Sequence, residues 1–345
     1  MAAKKDNEKK ENLLEAIFNL IWDKLFPGER IGTISDEELE ELFPRLPEKI
    51  DYKLPKRVTK DGIFIPLGET FKKKQIELNL KENPMSYIVG TTGSGKSVMT
   101  KVILTTLVAN YKPVELEIYL ADLKRVELNL FRRVKHCKKF VYTVEDTTEL
   151  IADLLEETNR RYDLFMKYEV TNIFEYNKLE GVNKLKYQVL FVEEIVMLLE
   201  DKKKNAMKLL KQLIAISRAS GLYIFLSTQR PSNDVIDNVV KANINNRICF
   251  KCEDSKNSIV ALDSAGAEDL RGHGHGIIKR GSNLEEFQAY FIEDTQVKKL
   301  IEPYIKTKDK LINDNNKTSE NGRERVTDIK EDNNKIIDLS FLENI

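Results

Sequence analysis

Along this chain, short apolar runs bounded by polar turns alternate with longer segments in which apolar residues recur at helical spacing. The alternation starts at Met85 and holds to about residue 305. The apolar runs are Ser86–Val89, Glu115–Ala121, Tyr187–Val192, Tyr223–Ser227 and Arg247–Lys251. Strands separated by amphipathic helices predict a parallel α/β sheet with helices on both faces.

Ahead of that body, residues 44–84 contain several prolines and two strand-like stretches, Gly62-Ile63-Phe64-Ile65 and Gln75-Ile76-Glu77-Leu78. They predict a small β-rich lead-in within a small N-terminal α/β segment. Residues 1–43 read as a charged start followed by helices. Leu13, Leu14, Ile17, Phe18, Leu20, Ile21 and Leu25 share helical spacing until Pro27-Gly28 stops the run. Ser35 and Glu38 have the spacing of a capping box. The first helix either packs on the body of the protein or docks on a partner or membrane surface. From 306 to 345 the chain is polar, with runs such as Asn313-Asp314-Asn315-Asn316, and a disordered tail is expected. Its apolar end, Ile336–Leu342, reads equally well as a docking peptide or as a sticky terminus.

Composition narrows the class. With 345 residues and 41% hydrophobic content, the chain can bury one main core, expected over residues 85–305. Fifty-six basic residues balance 56 acidic ones, so any nucleic-acid surface has to be local. No stretch reaches the ~18 consecutive apolar residues of a membrane span, and the charged N-terminus lacks a cleavable signal pattern. A cytoplasmic protein without an integral membrane segment is expected. Three cysteines are too few for a disulfide framework. Cys249 and Cys252 form a CxxC, but on one strand positions three apart face opposite sides, which favours ordinary strand cysteines over a zinc or redox pair.

Candidate chemistry is concentrated after the first and third of these strands. Gly90-Thr91-Thr92-Gly93-Ser94-Gly95-Lys96-Ser97 fits G-x-x-x-x-G-K-[ST] between an apolar strand and a helical run, the context a P-loop requires. Its backbone N–H groups and the following helix N-terminus suit phosphate, with Val98 next in the helix. Lys96 is expected on the β and γ phosphates of ATP, and the Ser97 hydroxyl on Mg²⁺. Tyr187–Val192 ends in Glu193-Glu194, the Walker B position. There the first acid orients the metal and the second polarises the attacking water, making Glu194 the candidate base.

Longer motifs carry a resemblance to one family. The P-loop continuing into Val98 resembles the FtsK/SpoIIIE variant, and Ala121-Asp122-Leu123-Lys124 with Glu127-Leu128 resembles that family's DPK…EL segment. Asn159–Phe165 with Asn172-Ile173 and Tyr176-Asn177, Ser217–Tyr223 with Ser227–Ser232, and Lys241–Ile244 with Arg247–Phe250 follow in the family's order. Asp254-Ser255, Gly266–Leu270 and Gly272–Gly274 complete the series. The resemblance spans residues ~85 to 295 and implies a RecA-like P-loop NTPase that forms a hexameric ring around double-stranded DNA. By position it implies that Gln229 senses the γ-phosphate and that Arg218 is an arginine finger for the neighbouring subunit. Arg247 is a second candidate for the finger, and a helix C-terminal cation is the plainer reading of Arg218.

Departures from the pattern are Glu193 for the Walker B Asp, Leu123 for Pro, and His275 where Asp is common. Nothing after Phe291 resembles a winged-helix domain, so a reduced motor of plasmid, phage or conjugative-element type is expected. The function implied is ATP-driven pumping of double-stranded DNA in transfer or segregation. Alternatives are a type VII-like secretion ATPase and a conjugative coupling protein acting on single-stranded DNA. The run Lys202-Lys203-Lys204 with Lys208 and Lys211 reads as a solvated helix face, whereas Lys241, Asn243, Arg271 and Lys279 are the candidate DNA contacts. A recruiting partner is expected to bind through the N-terminal helix or the tail.

Overall fold

The computed structural model describes residues 46–57, 62–201 and 205–306. The expected N-terminal helices, the Lys202–Lys204 run and the tail from 307 onward lie outside them. The chain divides into two compact units, Met1–Pro47 and Glu48–Ile345, and the second carries the sheet and the nucleotide motifs.

Six parallel strands form the centre of the sheet: β4 (Met85–Val89), β5 (Leu116–Asp122), β6 (Cys137–Val141), β7 (Tyr187–Glu193), β8 (Leu222–Thr228) and β9 (Asn246–Phe250). Their spatial order is β6-β5-β7-β8-β4-β9, so the strand that feeds the P-loop is central. Beyond β9 the sheet turns antiparallel through β10 (His275–Arg280), β11 (Asn283–Phe291), β2 (Phe64–Glu69) and β3 (Gln75–Asn79). The short β1 (Ile50–Asp51) pairs in parallel with the end of β11. The result is a mixed α/β sheet, mostly parallel at its centre, flanked by helices.

Alternation along the central strands places apolar residues on both faces, as burial under two helical layers requires. Val189 and Phe191 of β7 join one apolar cluster, and Leu190 and Val192 join the other. The first cluster is covered by α1 (Lys96–Asn110) and α7 (Asp294–Ile301). The second is covered by α2 (Val144–Lys167), the 16-residue α4 (Asn205–Ser220) and α6 (Ser255–Leu262). The short α3 (Ile173–Tyr176) and α5 (Asn238–Asn243) complete the helices of the described residues. Helix α1 is buried on nearly all sides because β2, β11 and α7 enclose it together with the sheet. The Tyr52 hydroxyl reaches Thr106 of this helix at 2.7 Å.

The five expected strands are observed within one residue at each end. Four others, the two-residue β1 together with β6, β10 and β11, are not apparent from the hydrophobic pattern. β6 carries two lysines in five residues, as suits an edge strand. In the β10–β11 hairpin the pairs Ile277-Ile278, Lys279-Arg280 and Glu285-Glu286 break a period of two; it turns at Gly281-Ser282, with Gly281 at φ 60°, the position at which a II′ turn takes glycine. One expectation is corrected. Cys249 and Cys252 do not point apart: β9 ends at Phe250, the chain turns, and the two sulfurs lie 3.4 Å from each other.

Candidate nucleotide site and family

The P-loop leaves the C-terminal end of β4 and passes into α1 through Gly95, at φ 117°. Two glycines are required sterically. A Cβ at Gly90 would lie 2.8 Å from the Phe250 Cβ, and one at Gly95 would lie 2.6 Å from the Gly274 backbone. Two neighbouring segments grip the loop. Thr91 donates from both its N–H and its hydroxyl to the Lys251 carbonyl, each at 3.0 Å. On the other side Gly274 donates to the Ser94 carbonyl at 2.8 Å and His273 to the Gly93 carbonyl at 3.3 Å. With the loop's carbonyls occupied in this way, the N–H groups that open α1, which have no partner within a helix, remain for an anion.

Beside the loop lies a cavity of about 450 Å³. Thr91–Gly93, Gly95–Val98, Gln229 and His273 line its phosphate end, and Ala289–Phe291 of β11 with Glu48 and Lys49 line the other. The volume suits a nucleotide-sized ligand. Neither the β11 wall nor the Gly272–Gly274 clamp is apparent from the P-loop motif, because both reach the site from strands far away in sequence.

Lys96 is fully buried and forms an ion pair with Glu193, whose other oxygen accepts from the Ser227 hydroxyl. Burial raises the Glu193 carboxyl above its usual range, and the Lys96 ammonium opposes this. The donor set fits Mg²⁺, which takes only one or two protein ligands beside phosphate oxygens. Lys96 and Ser97 line the cavity, and Glu193 is the ion-pair partner of Lys96. Replacing Lys96 by Ala should therefore do two things. It should abolish ATP binding, and it should strip the buried Glu193 of its counter-ion, destabilising the fold by about 3 kcal/mol. Calorimetry with ATP and urea unfolding read the two effects separately; unchanged stability would show that Lys96 does not neutralise Glu193.

Glu194 is held at φ 60°, a left-handed conformation costly for a residue with a side chain and typical of functional sites. Its carboxylate accepts from the Thr228 hydroxyl at 2.6 Å and the Gln229 N–H at 3.1 Å, and pairs with Lys124 at 2.5 Å. Burial acts to raise this carboxyl, but Lys124, Thr228 and the Gln229 N–H outweigh it and hold the group below its usual range. Gln229 thus both lines the cavity and holds Glu194 through its backbone N–H. Lys124, prominent in sequence only as part of a motif, emerges as the partner of the candidate base.

Arg218 lies away from this centre. It is exposed near the end of α4, and its guanidinium is 3.5 Å from the Glu82 carbonyl, just before β4 begins. That is the end of the strand opposite the P-loop, roughly 15 Å away along β4. Arg247 is committed elsewhere: with Lys241 and Lys279 it converges on Asp263 at 2.5, 2.9 and 2.8 Å. His275, in place of the common Asp, accepts from the Arg271 N–H at 3.2 Å and faces Glu286 at 2.5 Å.

Comparison with known proteins agrees with this geometry. The FtsK/SpoIIIE family model matches residues 53–233, and a DNA translocase FtsK of Staphylococcus aureus (strain Mu50 / ATCC 700699) is 32% identical over 288 residues. The chain belongs to the FtsK/SpoIIIE family. Members of the family are ATPases. The FtsK match covers 80% of this chain and 35% of the relative, so the chain spans about a third of that protein's length. Among solved structures, the pCW3 conjugation coupling protein TcpA, in its monomer form with ATPgS, superposes with TM-score 0.67 at 26% identity, covering 75% of each chain. The cytoplasmic domain of the Thermomonospora curvata type VII secretion ATPase EccC superposes with TM-score 0.64 at 19% identity, covering 73% of this chain and 32% of that one, and supports the shared fold. The FtsK/SpoIIIE motifs fall on the elements that build the site: the P-loop after β4, the Glu pair at the end of β7, and Gln229 just beyond β8. Among the described residues, no helix is long and apolar enough to cross a membrane.

Proposed function

We propose that this chain hydrolyses ATP in the cytoplasm and uses the energy to move double-stranded DNA through a ring of identical subunits. The ring is hexameric in this reading, which follows the family likeness. A single observation supports it: a complete P-loop and Walker B centre lies at one end of the central strands, while Arg218 is exposed near the opposite end, away from its own subunit's site.

In this reading Lys96 leaves Glu193 for the β and γ phosphates when ATP enters, and the P-loop N–H groups hold the same oxygens. Ser97 and the freed Glu193 would hold Mg²⁺, which would supply neutralisation of phosphate charge. Glu194, aimed by Thr228 and the Gln229 N–H, orients the attacking water and accepts its proton. Gln229 senses the γ-phosphate, and its backbone links that end of the cavity to the base. Arg218 of a neighbouring subunit stabilises charge on the transferred phosphoryl group.

DNA is held by its phosphates rather than read by base, with Lys241, Asn243, Arg271 and Lys279 as the proposed contacts. Lys241, Arg247 and Lys279 outnumber the one carboxylate of Asp263, so the cluster keeps a positive excess. ATP hydrolysis with and without linear double-stranded DNA tests the reading. A rise with DNA that falls off steeply with salt is the expected result. Hydrolysis indifferent to every DNA offered would remove the translocase and leave a bare ATPase.

A second reading has its own support. TcpA, a conjugation coupling protein, matches three quarters of this chain over three quarters of its own. Stimulation by single-stranded DNA in preference to duplex would favour that role, with a recruiting partner bound through a terminal segment.

A further inference from the structure

We infer that Cys249 and Cys252 form a thiol–disulfide modification site, whose oxidation displaces the P-loop and weakens nucleotide binding. The effect on turnover rests on the proposed ATPase activity; the thiol chemistry does not.

The two sulfurs are in contact at 3.4 Å because β9 ends between them. Both are buried among the apolar residues that pack under α6, whereas the third cysteine, Cys137, belongs to the cluster on the other face of the sheet. Among the described residues no group of three or more His, Cys, Asp or Glu could hold a metal ion. Two sulfurs without further ligands suit dithiol chemistry better than a zinc site, which takes four. The contact between the two sulfurs holds Cys252 below the usual thiol range and pushes Cys249 up. Cys252, on the loop, is therefore the attacking sulfur, and Cys249 resolves.

The two residues between them form one of the two segments that grip the P-loop. The Lys251 carbonyl accepts both bonds from Thr91, and Phe250 packs where a side chain at Gly90 would stand. A disulfide needs its sulfurs about 2.05 Å apart, so closing the bond draws them together by more than ~1 Å. The Lys251 carbonyl moves with the loop and takes Thr91 with it. A misplacement of about 1 Å in a catalytic constellation costs on the order of 100-fold in rate.

A small-molecule disulfide such as oxidised glutathione is the oxidant. The Cys252 thiolate attacks one of its sulfurs, forming a mixed disulfide and releasing one glutathione thiolate. That thiolate takes the Cys249 proton, and the Cys249 sulfur then attacks Cys252, expelling the second glutathione. Two electrons pass from the protein dithiol to the small disulfide, which leaves as two thiols.

The test uses the full chain carrying Cys137→Ser, so that only the pair remains. It is equilibrated with oxidised glutathione, and thiol count, intact mass, ATPγS affinity and ATP hydrolysis are read on the same samples. The expected result is loss of both thiols with a mass lower by about 2 Da. Affinity and turnover should fall by about tenfold or more and recover with dithiothreitol. Adding Cys252→Ser should remove the response while leaving reduced-state binding intact. Retention of both thiols in the folded protein, under conditions that oxidise the urea-unfolded chain, would overturn the proposal; so would a disulfide that leaves ATPγS affinity unchanged. If the reduced protein does not hydrolyse ATP, the ATPase reading fails, and thiol count with ATPγS affinity still decides this one.

Discussion

Replacing Glu194 by Gln should lower the rate of ATP hydrolysis by roughly 10²- to 10⁴-fold, the usual contribution of a general base, while ATP still binds. The substitution is nearly isosteric. Its amide oxygen can still accept from the Thr228 hydroxyl and the Gln229 N–H, so the left-handed turn at the end of β7 has its anchors. What goes is the negative charge and with it the pair to Lys124, a side chain exposed enough to swing into water. Glu193, Lys96 and Ser97 are untouched, so nucleotide and metal affinity should hold. Single-turnover hydrolysis alongside an equilibrium binding titration separates the two effects. Turnover near the wild-type rate would mean that another group activates the water. A large loss of affinity would mean instead that Glu194 supports the P-loop and not the chemistry.

The difference between what could be read from the chain and what could not follows the range of the interactions. Lys96 and Ser97 are fixed by a local loop, and Glu193-Glu194 by the end of an apolar strand, so both appear in sequence with their structural setting. The central strands are equally legible because burial on both faces leaves them continuously apolar. β6 and the β10–β11 hairpin are edge or half-exposed pieces whose lysines and glutamates blur the period. Yet β11 supplies the far wall of the cavity, and the loop before β10 holds the P-loop carbonyls. These contacts, like Lys124 on Glu194, join segments tens of residues apart, and no local pattern records them. The cysteine pair shows the complementary error. A period-2 argument holds only while the strand continues, and β9 stops two residues before Cys252.

The place of Arg218 leads to the other large effect. Replaced by Ala, it should cost about 10³-fold in hydrolysis, the lower end for an arginine finger, without weakening ATP binding to its own subunit. Its side chain is exposed and donates to the Glu82 backbone carbonyl at a long 3.5 Å, so little stability should be lost. The decisive experiment mixes two inactive proteins, Arg218→Ala and Glu194→Gln. If the finger acts across the subunit boundary, a site works when an Arg218→Ala subunit supplies Glu194 and a Glu194→Gln neighbour supplies Arg218. Random assembly of equal amounts makes that pairing at about a quarter of the boundaries, so activity should return to about 25% of wild type if sites fire independently, and to less if they must fire in sequence. A finger serving its own subunit gives no recovery at any ratio, because every subunit then lacks one of the two groups. Recovery that appears only when the proteins are mixed before assembly would also establish that the working unit is a ring with heterologous contacts, each subunit closing its neighbour's site.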